Sequence, residues 1–216
     1  MPDLGAVIIA TRVALLELRD ERRLVQEGYE LLDEKRVMLA AEILRQLRMH
    51  TALQIQLRDH ELSARTTFTA AVATHGFDDV TVARPRALDC ALLRQDRRSF
   101  LGIVLTEARL DVPAPVPGSV VLPPTPELRA CATAFRQVAM DYVALAACAG
   151  NLRRLIREYV RTERRARALE NILLPEIDSS LRFVEEQLDA VDQEEAVRVR
   201  NAGRAGGSAH DGAGIT

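Results

Sequence analysis

The sequence predicts a mainly α protein: a long antiparallel two-helix coiled-coil hairpin with a small β-hairpin-containing insert at its foot and a disordered C-terminal tail. Three observations carry this expectation. Residues 11–75 and 126–200 each sustain one apolar stripe at three- and four-residue steps, far longer than the ~8–20 residues of an ordinary globular helix. Seven of the nine prolines fall between Pro85 and Pro126, so the composition changes sharply between the two stripes. The chain then closes in a Gly/Ala-rich run, 201–216, too poor in apolar side chains to hold a fold.

Taken in order, residues 1–10 form a short apolar leader, and a helix is expected from about Thr11. Its stripe runs through Leu18, Val25, Tyr29, Leu32, Leu39, Ile43, Leu47, Leu53 and Leu57, and Gly76 supplies the stop after His75. The insert, 77–125, carries β-branched alternation at Val80–Ala83, Leu101–Val112 and Val120–Leu122. A hairpin between the last two, joined through the Pro-rich 113–118, and one short helix near Ala87–Asp96 are expected there. The second long helix starts at Thr125, a cap, and Pro126, which fits the first helical turn. Its stripe reads Leu128, Ala132, Phe135, Ala139, Tyr142, Ala146, Ala149, Leu152, Ile156 and Tyr159, then Ala166, Leu169, Leu173, Ile177, Leu181, Val184, Leu188 and Val191. Such a helix is on the order of 100 Å long, so it has to lie along another one. Lining up the ends puts Tyr29 near Asp178 and Ile43 near Arg164, within a turn or two. Pro175 removes one backbone hydrogen bond, yet the stripe stays in phase across it, which predicts a continuous, bent helix.

Composition narrows the function. With 48% hydrophobic and 28% charged residues and no run of about 18 apolar residues, direct membrane insertion is not expected. Only 4% of residues are aromatic, which suits narrow helix seams better than a thick centre, and a net charge of −2 gives no drive toward nucleic acid. Cys90, Cys131 and Cys148 are odd in number, and the last two are too far apart on one helix to bridge, so a reducing, cytoplasmic setting is expected. The run Ala6–Ala10 is too short for the core of a secretion signal and has no basic segment before it. No Gly-rich phosphate loop is present, and His50, His60, His75 and His210 are scattered. Adjacent carboxylates such as Asp33-Glu34 diverge on a helix. No catalytic, cofactor or metal residues are therefore expected, and an enzyme would need a site hidden in the insert.

Charge is the remaining signal. Arg153, Arg154, Arg157, Arg161, Arg164, Arg165 and Arg167 make a basic band. It reads either as a solvated face supported by pairs such as Glu163 with Arg167, or as a docking band for an acidic protein partner, since arginine holds carboxylates in bidentate contacts. Arg22, Arg23, Arg198 and Arg200, near the outer ends of the two helices, are further candidate partner contacts.

The residues also resemble a family. Thr11, Arg12, Leu15, Leu16, Gly28, Leu31, Leu32, Lys35, Arg36 and Leu39 are similar to the opening of the D subunit, the central rotor shaft of the A- and V-type rotary ATPases. Arg164, Arg165, Ala168, Leu169, Glu170 and Pro175 are similar to a segment of that family's second helix, and the order of both helices around a β-containing insert extends the likeness over residues 11–200. The pattern departs at Asp33, Glu34, Val37 and Arg167. The resemblance implies a non-catalytic rotor subunit without cofactor. Its tip would enter a catalytic A/B-type hexamer, and its other partners would be the small F subunit of the stalk and the adaptor subunit of the membrane ring. A structural coiled-coil scaffold or adaptor without motor function is the alternative from another class.

Overall fold

Each long helix begins where the sequence supplies a cap, and the first also ends where it supplies a stop. The computed structural model describes residues 10–82, 92–111 and 125–208. Helix α1 spans Arg12–His75, and Thr11 caps it: the Ala14 amide donates to Thr11 Oγ1 at 3.1 Å. Gly76 ends it in the left-handed region, φ 81°, its amide donating to the Val72 carbonyl at 2.8 Å. A short helix α2, Phe77–Val82, follows where β-branched residues predict extended chain. Its acidic first turn, Asp78 and Asp79, favours a helix start.

Strands β1, Leu92–Phe100, and β2, Ile103–Asp111, form one antiparallel pair in which Leu92 faces Asp111 and Phe100 faces Ile103. Leu101 and Gly102, at φ 50° and 83°, make the two-residue turn whose twist suits a hairpin. This corrects two expectations. The hairpin turns at Leu101-Gly102, and residues 92–96 are strand where a helix is expected over 87–96. The charges of β1 hide it: it is exposed along nearly its whole length, so no apolar alternation marks it. Val120–Leu122, the 113–118 connection and Cys90 lie outside the described residues.

Helix α3, Pro126–Ala168, is capped by Thr125, whose carbonyl accepts from the Arg129 amide at 3.0 Å. It passes through one π-helical turn, Leu169–Leu173, into α4, Leu174–Ser208. The Leu174 amide donates to the Leu169 carbonyl, five residues back. The helix thus runs on through Pro175, as the phase of the stripe predicts, with the wider turn placed just ahead of the ring that cannot donate. It continues past Asn201, where composition predicts the end of order; residues 209–216 lie outside the described ones.

The chain divides into two units, Met1–Glu34 with Thr162–Thr216, and Lys35–Arg161. In the first, the start of α1 runs antiparallel to α4. Arg22 meets Asp178 at 2.6 Å, Arg19 meets Glu185 at 2.8 Å and Arg12 meets Asp192 at 3.2 Å, over a seam of Ala166, Ile177, Leu181 and Val184. A Cβ at Gly28 would stand 3.8 Å from Leu169 Cδ1. Asp178 lies opposite Arg22, two turns from Tyr29 and so within the turn or two expected; the offset arises because α4 runs on past the start of α1.

In the second unit α1 and α3 pair antiparallel through a seam that includes polar groups. Buried from α1 are Leu39, Glu42, Gln46, Leu57, Ala64 and Ala71; from α3 come Cys131, Asp141, Cys148, Asn151 and Leu155. Heptad steps join Leu57 to Ala64 and Ala71, and Asp141 to Cys148 and Leu155, as coiled-coil packing requires. The apolar stripe expected on α3 is displaced by one position: Phe135, Tyr142 and Ile156 are each about half exposed. Ile43 packs against the cluster of Leu39, Ile103, Leu105 and Leu155. The β-hairpin is not confined to the His75–Thr125 end expected as the foot. Ile103 and Leu105 pack on Leu39 and Leu155, with Phe100, Ile43 and Tyr159 around them, because a two-stranded sheet alone is marginal and needs a helical surface to bury its one apolar face.

Candidate functional site

The densest chemistry of the described residues lies where the hairpin meets α1 and α3. Glu42, 8% exposed, accepts from Arg45 at 2.6 and 2.7 Å, from Arg98 of β1 at 2.8 Å and from Gln46 Nε2 at 3.1 Å. The Arg45 hydrogen bond, opposed by burial and aided by Gln46 and Arg98, holds its carboxyl down at about 2. This carboxylate stays charged and fully partnered, so it acts as a clamp and not as a proton shuttle. Nearby, Asn151 exchanges two hydrogen bonds with the β2 backbone. Its Nδ2 donates to the Thr106 carbonyl at 2.9 Å and its Oδ1 accepts from the Thr106 amide at 2.8 Å, the way a neighbouring strand would.

Cys148 Sγ donates toward the Gln46 carbonyl at 3.4 Å. Burial pushes the Cys131 and Cys148 thiols up, away from the thiolate that a nucleophile needs, and both are free. Farther along α3, Asp141 sits among His60, Gln56 and Gln137, and the Tyr142 hydroxyl donates to Glu61 at 2.5 Å. These groups tie helix to helix. Among the described residues no group of three or more metal-ligating side chains occurs, and no helix is long and apolar enough to cross a membrane.

Of the family-motif residues, Thr11 is the α1 cap, and Arg12 and Gly28 meet Asp192 and Leu169. Leu15 and Leu32 are half-buried, whereas Leu16 and Leu31 are exposed. Lys35 reaches Glu158 at 2.8 Å, Arg36 is half-buried, and Leu39 is fully buried in the hairpin's core. Arg164, Arg165, Ala168, Glu170 and Pro175 are exposed around the half-buried Leu169, and Glu163 pairs with Arg167 at 2.6 Å as the spacing predicts. The motif of α1 up to Gly28 and the motif around Leu169 thus meet in the first unit.

The candidate contact arginines divide differently. Arg22, Arg23 and Arg198 are engaged within the chain, with Asp178, Glu27 and Glu194. Arg154 donates to Asn151 Oδ1 at 2.6 Å and to Thr106 Oγ1 at 3.3 Å. Arg153, Arg157 and Arg200 are exposed and form no ion pair with a described residue. Sequence reasoning missed Glu42, Gln46, Asp141 and Asn151 as seam residues, since a search for apolar periodicity passes over every polar position. The heptad spacing of Asp141 with Cys148 and Leu155 is the signal that could have found Asp141, as that of Leu39 and Gln46 could have found Gln46; nothing comparable marks Glu42 or Asn151.

Residues 14–204 match the family of ATP synthase D subunits. The V-type ATP synthase D subunit of Thermus thermophilus is 28% identical over 193 residues, covering 88% of this chain and 85% of the relative. The A-type ATP synthase D subunit of Methanopyrus kandleri is 27% identical over 196 residues, 88% of this chain and 83% of that one. That of Archaeoglobus fulgidus is 25% identical over 205 residues, 90% and 95% of the two chains.

Proposed function

The chain belongs to the ATP synthase D-subunit family, and from that premise we propose that it is a non-catalytic central-stalk subunit, the rotor shaft, of a V/A-type proton or sodium rotary ATPase. It couples ATP synthesis or hydrolysis in a catalytic A/B-type hexamer to rotation of the membrane ion-translocating ring. Its partners are that hexamer, the small F subunit of the stalk and the adaptor subunit of the ring, and it works in the cytoplasm, peripheral to the membrane.

Beside the family match, the observation that supports this reading is the surface of the first unit. Its helices are joined over an apolar seam. Outward, interspersed with exposed apolar side chains such as Leu16 and Leu24 on α1 and Val197 and Val199 on α4, they offer many charges: Arg12, Arg19, Arg22 and Arg23 on α1, and Glu194, Arg198 and Arg200 on α4. Exposed pairs of this kind contribute only about 0–1 kcal/mol each. A shaft that meets three successive catalytic interfaces needs such numerous, weak contacts, because a deep apolar anchor would hold one position.

Co-purification through a tag on this chain tests the proposal. The expected result is one copy of the chain with nucleotide-binding A- and B-type subunits. A stable homodimer without them would sink the rotor reading in favour of a scaffold.

A further inference from the structure

We propose that the second unit carries a docking groove for an acidic amphipathic helix of a partner subunit, on the face of the β-hairpin turned away from Leu39; this rests on the reading of the chain as part of a larger assembly. The groove has a volume of about 450 Å³ and lies between the hairpin and α3. Leu93, Val104 and Ala108 line it from the sheet, and Leu93 and Val104 are half exposed although apolar. Its other wall is Val143, Ala147 and Gly150, at steps of four and three along α3. Small side chains at that spacing leave a shallow channel into which the ridge of another helix fits. The groove is partly open to solvent, which suits a laid-in element of secondary structure more than an enclosed small molecule.

Addition of a strand to β2 is blocked at Thr106, because Asn151 already occupies its amide and its carbonyl. Charge then selects the kind of helix. Among the described residues no carboxylate lines the groove, and the charged ones that do are Arg97 and Arg154. Arg154 is held in place by Asn151 and Thr106, both uncharged, and Arg97 forms no ion pair with a described residue. On the opposite face of the same hairpin Arg98 meets Glu42 and Arg94 meets Asp111 at 2.5 Å, while Arg109, exposed at its edge, forms no ion pair with a described residue. The groove therefore pairs an uncovered apolar floor with guanidiniums that lack carboxylates, and a helix with one apolar and one acidic face complements both.

The test uses the assembled complex, isolated through its native partners, with the photo-crosslinker p-benzoylphenylalanine placed at Ala147 and the adduct sequenced by mass spectrometry. The expected adduct is one segment of another subunit in which Asp or Glu residues flank an apolar helical face. Its yield should fall at least tenfold in the R97E/R154E chain and by less than twofold in R97K/R154K. R97E alone, which removes no contact the hairpin uses, should lower the yield at least threefold with unchanged circular dichroism. An adduct on a second copy of this chain, on lipid or on a segment without acidic residues would overturn the proposal, as would an intact complex that gives no adduct or a yield indifferent to charge reversal. Failure to isolate any complex with the unaltered chain would instead remove the assembly reading on which the groove depends.

Discussion

Leu39 shows what a single side chain can do when two elements depend on it. It is fully buried between α1, α3 and the hairpin, touching the cluster of Ile103, Leu105 and Leu155. Leu39→Ala should therefore cost about 2–5 kcal/mol, toward the upper end because neither the helix pair nor the hairpin can close the cavity alone. Denaturant unfolding checks this, and a loss under about half a kcal/mol would mean the cluster does not hold the hairpin. Glu42 carries a second prediction. Its folded value is depressed to about 2 from 4.5, so its stabilisation is fully present above pH 4.5 and is lost as the pH falls toward 2. The melting temperature should drop across that window, and Glu42→Gln should flatten the drop while lowering stability at neutral pH. An unchanged acid profile in the variant would assign the drop to other carboxylates. Leu39 was legible in the sequence as a stripe residue, whereas Glu42 was not: nothing in an isolated helix says that a glutamate faces inward until an arginine from another strand arrives.

At the scale of elements, the helices were readable and the sheet was not. Thr11, Gly76, Thr125 and Pro126 are local signals, acting within one turn of chain, so the ends of α1 and the start of α3 follow from sequence. The hairpin depends on partners distant in sequence. β1 reads as polar chain, and only pairing with β2, whose outer edge Asn151 holds at Thr106, makes it a strand. Asn151→Ala should leave helicity unchanged and destabilise the hairpin by about 1–3 kcal/mol, since two Thr106 backbone groups lose their partners. Hydrogen exchange would show it as faster exchange at the Thr106 amide with little change in the helix centres. Equal protection in both proteins would mean Asn151 does not hold the strand edge. The stripe on α3 fails by one position for a related reason, since its seam includes Asp141 and Asn151, which hydrophobicity cannot mark but a facing His60 or β2 can satisfy.

For the whole molecule the decisive prediction is mechanical. A cysteine placed at Arg198 or Arg200 and cross-linked to the hexamer wall should stop multi-turnover ATP hydrolysis, and reduction should restore it; alanine at either position should lower turnover only modestly. Full turnover with the cross-link formed would mean the chain does not rotate against the hexamer. In the mechanism proposed above, coupling would come from differential contact with successive hexamer states, a population shift for which no catalytic side chain of this chain is required. The sequence by itself determined the long helices, their caps, the passage of the second helix through Pro175 and the family, because each rests on periodicity, local backbone chemistry or motif order. Only the tertiary structure decided the register between helices, the polar half of the seam and the site where the hairpin binds. Those depend on which groups satisfy one another across the fold, and a buried charge or amide is stable only once its distant partner is in place.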